Sequence, residues 1–224
     1  MRPKGRVERE PVMLLKDAHA NNLSKIMELS RYWSDSIITP LDVIPVLNQA
    51  CVSFVLVGAY GVGGWMNEAR ATEDVDVVVA QKHVRKAVKV LLEAFPHLEV
   101  DDHEVVTRLR EKGTGTVVID VMKPTQPHLR VIFKNTETIR SKGQEYRIPS
   151  LEMAVALKFA PMVSLTRADK DKYQDAHDFL ALVENNPKMD SEKLAELGDL
   201  IYPGGGTELL ELVRKARAGE KLNL

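Results

Sequence analysis

The stretch that decides the fold reads Phe54-Val55-Leu56-Val57-Gly58-Ala59-Tyr60-Gly61-Val62-Gly63-Gly64-Trp65 and, after Met66-Asn67-Glu68-Ala69, continues as Arg70-Ala71-Thr72-Glu73-Asp74-Val75-Asp76-Val77-Val78-Val79. Residues 54–57 are an apolar run suited to a buried strand, residues 58–61 a small-residue turn, and residues 75–79 a second apolar strand. Asp74 and Asp76 stand at the mouth of that second strand. Side chains two apart on a strand share a face, so these carboxylates are expected side by side. Like charges held so close raise one another's pKa unless a cation lies between them, and a divalent metal is the simplest such cation.

On the amino-terminal side, the first ten residues are charged and expected to be mobile. Residues 11–33 carry apolar positions at near-helical spacing, interrupted by Asn21-Asn22, which predicts one or two helices. Thr39-Pro40-Leu41-Asp42 reads as a helix start, with Thr39 as N-cap and Pro40 at the first helical position. On the carboxy-terminal side, residues 81–95 read as a helix. Strands are expected at 98–100, 104–109 and 116–122, with Gly113 and Gly115 in the turn between the last two, and a further strand at 129–133. Beyond Pro149 the pattern becomes helical, with segments at 150–160, 169–184, 191–201 and 207–217. Strands alternating with helices, then several close strands, indicate an α/β (α+β) sheet of mixed direction followed by a helical carboxy-terminal lobe. The corresponding division is 1–50, an amino-terminal helical segment; 51–148, the sheet core; and 149–224, the helical lobe.

The 224 residues suffice for a large core, and a net charge of -1 with a pI of about 6.6 supplies no global field for nucleic acid. A single cysteine, Cys51, excludes an internal disulfide or a cysteine cluster for zinc, and its apolar context predicts a buried thiol. The basic start lacks a following apolar stretch and no run reaches transmembrane length, so the expectation is a soluble, cytoplasmic protein with no membrane partner.

Asp120, inside Val117-Val118-Ile119-Asp120-Val121-Met122, is a third acid in an apolar strand, where burial without a partner is costly. Three carboxylates on neighbouring strands make a magnesium-type oxygen site, suited to two-metal phosphoryl or nucleotidyl transfer. The plainer alternative pairs Asp76 with Arg70 and Asp120 with a lysine from a neighbouring helix, leaving Asp74 as a cap. Gly58, Gly61, Gly63 and Gly64 either serve close strand-helix packing or let backbone amides meet phosphates. Their spacing is not G-x-G-x-x-G and the acids open the second strand rather than close it, which argues against a dinucleotide fold. The six histidines show no paired metal spacing and are assigned structural or surface roles. Asp101-Asp102-His103-Glu104 could bind a metal but reads better as a solvated turn, and Lys82, Arg85, Lys86 and Lys89 form a basic helix face that could meet a nucleic-acid backbone but reads better as a plain solvated face.

Val57-Gly58-Ala59-Tyr60-Gly61-Val62, followed by Arg70-x-Thr72-x-Asp74-x-Asp76 and a later aspartate, resembles the motif of the polymerase-beta-like nucleotidyltransferase superfamily. Its form looks like the bacterial branch related to abortive-infection nucleotidyltransferase toxins. Lys158 and the element Arg167-Ala168-Asp169-Lys170-Asp171, with Asp175, are similar to that branch's helical stretch. The resemblance covers residues 54–180. It implies a nucleotidyltransferase sheet, with Asp74, Asp76 and Asp120 as catalytic ligands of Mg2+ or Mn2+. It also implies a nucleoside triphosphate substrate met by Gly58, Ala59, Arg70, Thr72, Lys158, Lys170 and Asp171. Its candidate acceptors are transfer RNA or a protein, with an antitoxin as candidate partner; a small-molecule antibiotic is the other acceptor class. Ala59 departs from the motif's usual second Gly or Ser, which keeps open a nucleotide-binding or regulatory member without turnover. On a helix, Arg167, Asp171 and Asp175 are spaced four apart and also read as a plain surface ion-pair ladder.

Overall fold

The computed structural model describes residues 15–31 and 38–222. The expectations for the first ten residues and for the ends of the 11–33 segment fall outside those residues. Helix α1 (Leu15–Arg31) runs unbroken through Asn21-Asn22, because Asn22 turns inward and its amide donates to the carbonyls of Gly63 and Met66. Helix α2 (Pro40–Gln49) starts as expected: the Thr39 N–H donates to the Asp42 carboxylate at 2.8 Å. Cys51, expected buried, is exposed. It occupies the tight turn after α2 at φ 51°, and Val52 takes the buried place beside it.

Strand β1 (Phe54–Leu56) leads into a short helix α3 (Gly58–Val62) and a 3-10 turn at Gly63–Trp65, where the sequence indicated only a turn. Then follow β2 (Val75–Val79), α4 (Val84–Ala94), β3 (Leu98–Asp102), β4 (Val106–Glu111) and β5 (Val117–Met122). These strands form one mixed sheet in the order β1-β2-β5-β4-β3. Only β2 and β5 run parallel; the remaining pairs are antiparallel. The β4–β5 turn uses Gly113 and Gly115 at φ 96° and 73°, conformations that a side chain would oppose.

Residues 129–133, expected as a strand, are instead helix α5 (Pro127–Arg130) and a 3-10 turn at Ile132–Lys134. Pro127 at the first helical position favours this start, and Leu129 and Ile132, three apart, are both buried. A hairpin of β6 (Thr136–Ser141) and β7 (Gln144–Pro149) follows, joined at Lys142 and Gly143, both at positive φ. The chain ends in α6 (Leu151–Met162), α7 (Asp169–Asn185), α8 (Ser191–Asp199) and α9 (Gly205–Ala218). The molecule is thus a mixed α+β sheet followed by a helical carboxy-terminal region.

The sheet's two faces differ, and this positions the site. Val75, Val77, Val79, Leu109, Ile119 and Val121 point to one face, where they pack with Leu23 and Ile26 of α1, Ile44 and Leu47 of α2 and Leu91 of α4. On the opposite face Val55, Val57 and Val78 pack with Met153 and Ala156 of α6 and Leu197 of α8. That helical cover meets apolar residues of β1 and β2. Further along the same face the residues are Asp76, Asp120 and Arg108, which the strand alternation places together.

Candidate metal centre on the sheet face

Asp76 on β2 and Asp120 on β5 are direct register partners across the parallel pair, and Asp74 lies just ahead of β2. One carboxylate oxygen from each of the three lies within 4.8 Å of the others. The parallel register makes the pairing, since both acids sit on alternating apolar strands with the same phase. Burial pushes the Asp76 carboxyl well above the usual range; Asp74 and Asp120 add to the rise, and Lys158 and Arg70 oppose it. Burial, and next the Asp74 charge, bring Asp120 up to about 6 against the pull of Arg108, Arg110 and His103.

Three features fit a divalent cation here. The donor set is hard oxygen, the kind magnesium and manganese take. Asp120 Oδ1 is buried and accepts no hydrogen bond; its nearest cation, Arg108 Nε, is 3.8 Å away. Gly58, at φ 60°, lies so close to Asp76 that a Cβ there would stand 1.8 Å from Asp76 Oδ2. The backbone of α3 is thereby brought directly against the carboxylate. Val57, just before it, donates its N–H to the Asp76 carbonyl at 2.9 Å. Asp74 is oriented by the Thr72 hydroxyl, which donates to its Oδ1 at 2.8 Å, and the Thr72 N–H in turn donates to Ser30 Oγ of α1 at 3.0 Å.

A buried ion network adjoins Asp76. The Arg70 guanidinium donates through Nε and one terminal nitrogen to the two carboxylate oxygens of Asp178 on α7, each at 2.9 Å. Lys158 Nζ on α6 meets Asp178 Oδ2 at 2.7 Å and Asp175 Oδ1 at 3.1 Å, and Arg167 pairs with Asp175 at 2.8 Å. Asp178 is fully buried. Burial pushes its carboxyl up, but the Arg70 hydrogen bonds and the Lys158 and Arg70 charges outweigh this and hold it below the usual range. Asp76 feels the charges of both Arg70 and Lys158, so the network delivers two cations to the β2 side of the triad.

The alternative pairings foreseen for the acids do not form: Arg70 is engaged by Asp178 rather than Asp76, and Asp120 meets an arginine of its own sheet. The surface ladder does not form as spaced either, since Arg167 reaches Asp175 directly. Lys170 and Asp171 are exposed in the first turn of α7. The Ala59 side chain is buried in α3, so only its backbone could face a ligand. Asp178 and Arg108 were not singled out in the sequence. A sequence signal for Asp178 exists in Asp175-x-x-Asp178, which puts both acids on one helix face. Arg108 becomes visible only once strand register is known.

No protein-family profile matches the chain, and comparison with curated proteins finds no relative. Among solved structures the chain is similar to an antigenic nucleotidyltransferase-like protein from Paracoccidioides brasiliensis, with 18% identity, a TM-score of 0.48, and 78% of this chain and 90% of that chain covered. It is also similar to the lincosamide antibiotic adenylyltransferase LnuA, lincomycin-bound, with 13% identity, a TM-score of 0.46, and coverage of 66% and 99%. A third similar structure is the antibiotic-resistance factor ANT(2'')-Ia, with 11% identity, a TM-score of 0.40, and coverage of 80% and 87%. Among the described residues no helix is long and apolar enough to cross a membrane.

Proposed function

We propose that this chain is a divalent-metal-dependent nucleotidyltransferase, which moves a nucleoside monophosphate from a nucleoside triphosphate to an acceptor hydroxyl and releases pyrophosphate. The observation that carries the reading is the convergence of Asp74, Asp76 and Asp120 on one sheet face, with a buried oxygen of Asp120 that accepts no hydrogen bond. Bound Mg2+ or Mn2+ would neutralise the triphosphate and make the attacking hydroxyl more acidic. In this reading Asp74, Asp76 and Asp120 would hold the metal, and Asp120, the member nearest Arg108, would lie on the acceptor's side, where its carboxylate could receive the hydroxyl proton. A bond forms between the acceptor oxygen and the α-phosphorus as the bond from that phosphorus to the pyrophosphate oxygen breaks.

The residues around the triad take parts consistent with this chemistry. Gly58 would let the main chain approach a bound triphosphate, and Ala59 would contribute only its backbone. Thr72 fixes Asp74, while Arg70 and Lys158 place positive charge beside Asp76, where phosphate charge would gather. Lys170 and Asp171, exposed on α7, are assigned a supporting contact to the nucleotide. The toxin-like branch, with transfer RNA or protein as acceptor and an antitoxin as partner, predicts growth arrest on expression. An antibiotic acceptor predicts resistance without arrest.

Incubation with α-labelled nucleoside triphosphates and Mg2+ tests the activity. Label should pass to an acceptor in a reaction abolished by chelation and reduced at least 100-fold in Asp74→Asn and Asp76→Asn. Transfer that persists in both variants would refute the mechanism.

A further inference from the structure

The cations around the triad fall on two sides of it, and the sheet order says which is which. On the β2 side stand Arg70 and Lys158, clamped by Asp178, with Gly58 against Asp76. On the other side, across β5, lies β4, whose Arg108 is the register partner of Asp120. Asp76, Asp120 and Arg108 therefore form a line across three neighbouring strands, each step about 4.8 Å. Asp120 separates Arg108 from Arg70 and Lys158.

Arg108 differs from the other basic residues on its side. Arg110 donates to Asp101 at 2.9 Å, His103 also meets Asp101 at 2.9 Å, and Lys123 pairs with Asp102 at 2.7 Å. Asp101 is the residue opposite Arg108 on β3, so the carboxylate nearest to hand across the strands is already taken. Among the described residues the Arg108 side chain makes no hydrogen bond; its one ion pair is the 3.8 Å approach to Asp120, too long for a hydrogen bond. Its side chain is 41% exposed. An arginine left without acceptors beside a metal ligand repels the metal and leaves a planar set of donors unused, a set matched in shape to phosphate or carboxylate. An anionic group arriving with the second substrate would satisfy it.

We infer that Arg108 is an acceptor-specificity residue: it receives a phosphate carried by the acceptor next to the reacting hydroxyl, so that the substrate class is a phosphate-bearing hydroxyl compound and polycationic acceptors are disfavoured. This rests on the nucleotidyltransferase reading, which gives the nucleotide to the Gly58 side and leaves the Arg108 side for the acceptor. Two sources of such a group, an RNA end with a free 3′-hydroxyl and a small sugar phosphate, share this chemistry.

The test uses the full chain and its Arg108→Glu and Arg108→Lys variants with three acceptor probes: a short oligoribonucleotide with a free 3′-hydroxyl, glucose 6-phosphate and the polycation kanamycin. Probe binding is measured in Mn2+ with a non-hydrolysable triphosphate analogue, alongside transfer of label from α-labelled triphosphate. The expected result is that at least one phosphate-bearing probe binds and accepts label. Arg108→Glu should then weaken that probe at least tenfold, shown in its KM, with the analogue's affinity held within twofold and partial rescue by Arg108→Lys. Preference for the oligoribonucleotide or for glucose 6-phosphate identifies the source. Binding of neither phosphate probe, preferential transfer to kanamycin, or a loss in Arg108→Glu confined to the analogue's affinity would each overturn the assignment. These failures are distinct from failure of the underlying reading, in which the wild-type chain would show no metal-dependent binding of the triphosphate analogue.

Discussion

Gly58 brings the backbone directly against Asp76, a ligand of the proposed metal site. Its φ of 60° disfavours any side chain, and a Cβ would sit 1.8 Å from Asp76 Oδ2. Gly58→Ala should therefore displace the carboxylate, lower metal affinity at least tenfold and destabilise the fold by about 1–3 kcal/mol. Metal titration and thermal unfolding check this, and affinity within twofold of wild type would show that Asp76 is not the constrained ligand. At this scale much of the site was legible. Asp74 and Asp76 are two apart, and Asp120 interrupts an apolar strand, so strand periodicity and the cost of burying an acid were enough to group them. Arg108 was not legible, because its nearness to Asp120 depends on β4–β5 register, and a bulge between Leu109 and Arg110 shifts that register. Cys51 was misread because its neighbour Val52, not the thiol, takes the buried position.

Between elements, Asp178 is the joint that ties α7 to α6 and to the segment before β2. It accepts two hydrogen bonds from Arg70 and one ion pair from Lys158 while fully buried. Asp178→Ala would leave two cations facing one another across an empty carboxylate position. A loss of about 3–5 kcal/mol in unfolding free energy is expected, the scale for removing one partner from a buried charge cluster. Denaturant unfolding measures it, and a loss below 1 kcal/mol would contradict the clamp. The helices that carry this joint were legible from period and capping, and α6, α7 and α8 lie close to their expected ranges. The β6–β7 hairpin was missed because only Ile139, Tyr146 and Ile148 point inward amid polar residues, although the Lys142-Gly143 turn between alternating segments is a recognisable hairpin signal. The 129–133 run was misread as a strand because a short apolar run does not distinguish strand from buried helix; Pro127 held the deciding information.

For the whole molecule, the partly buried triad makes stability depend on pH. Asp120 has its folded-state pKa raised from 3.8 to about 6, so the folded, metal-free chain holds a proton that the unfolded chain releases. That contribution is fully present below about pH 4 and is lost as pH rises through 6. Asp76 is shifted in the same direction. Asp120→Asn removes the penalty, and should raise the unfolding free energy of the metal-free protein at pH 8 by on the order of 1–3 kcal/mol. Saturating Mn2+ should reverse the order, stabilising wild type but not the variant. Thermal unfolding in chelator and in Mn2+ reads both effects; a variant less stable than wild type in chelator would mean that Asp120 is held ionised by partners of its own.

The most direct test of the account is calorimetric titration of Mn2+ into the 224-residue chain at pH 7.5, with and without a non-hydrolysable nucleoside triphosphate analogue. The account predicts metal binding that tightens when the analogue is present and weakens at least tenfold in both Asp74→Asn and Asp76→Asn. Equal binding by wild type and both variants, with the analogue present, would contradict it.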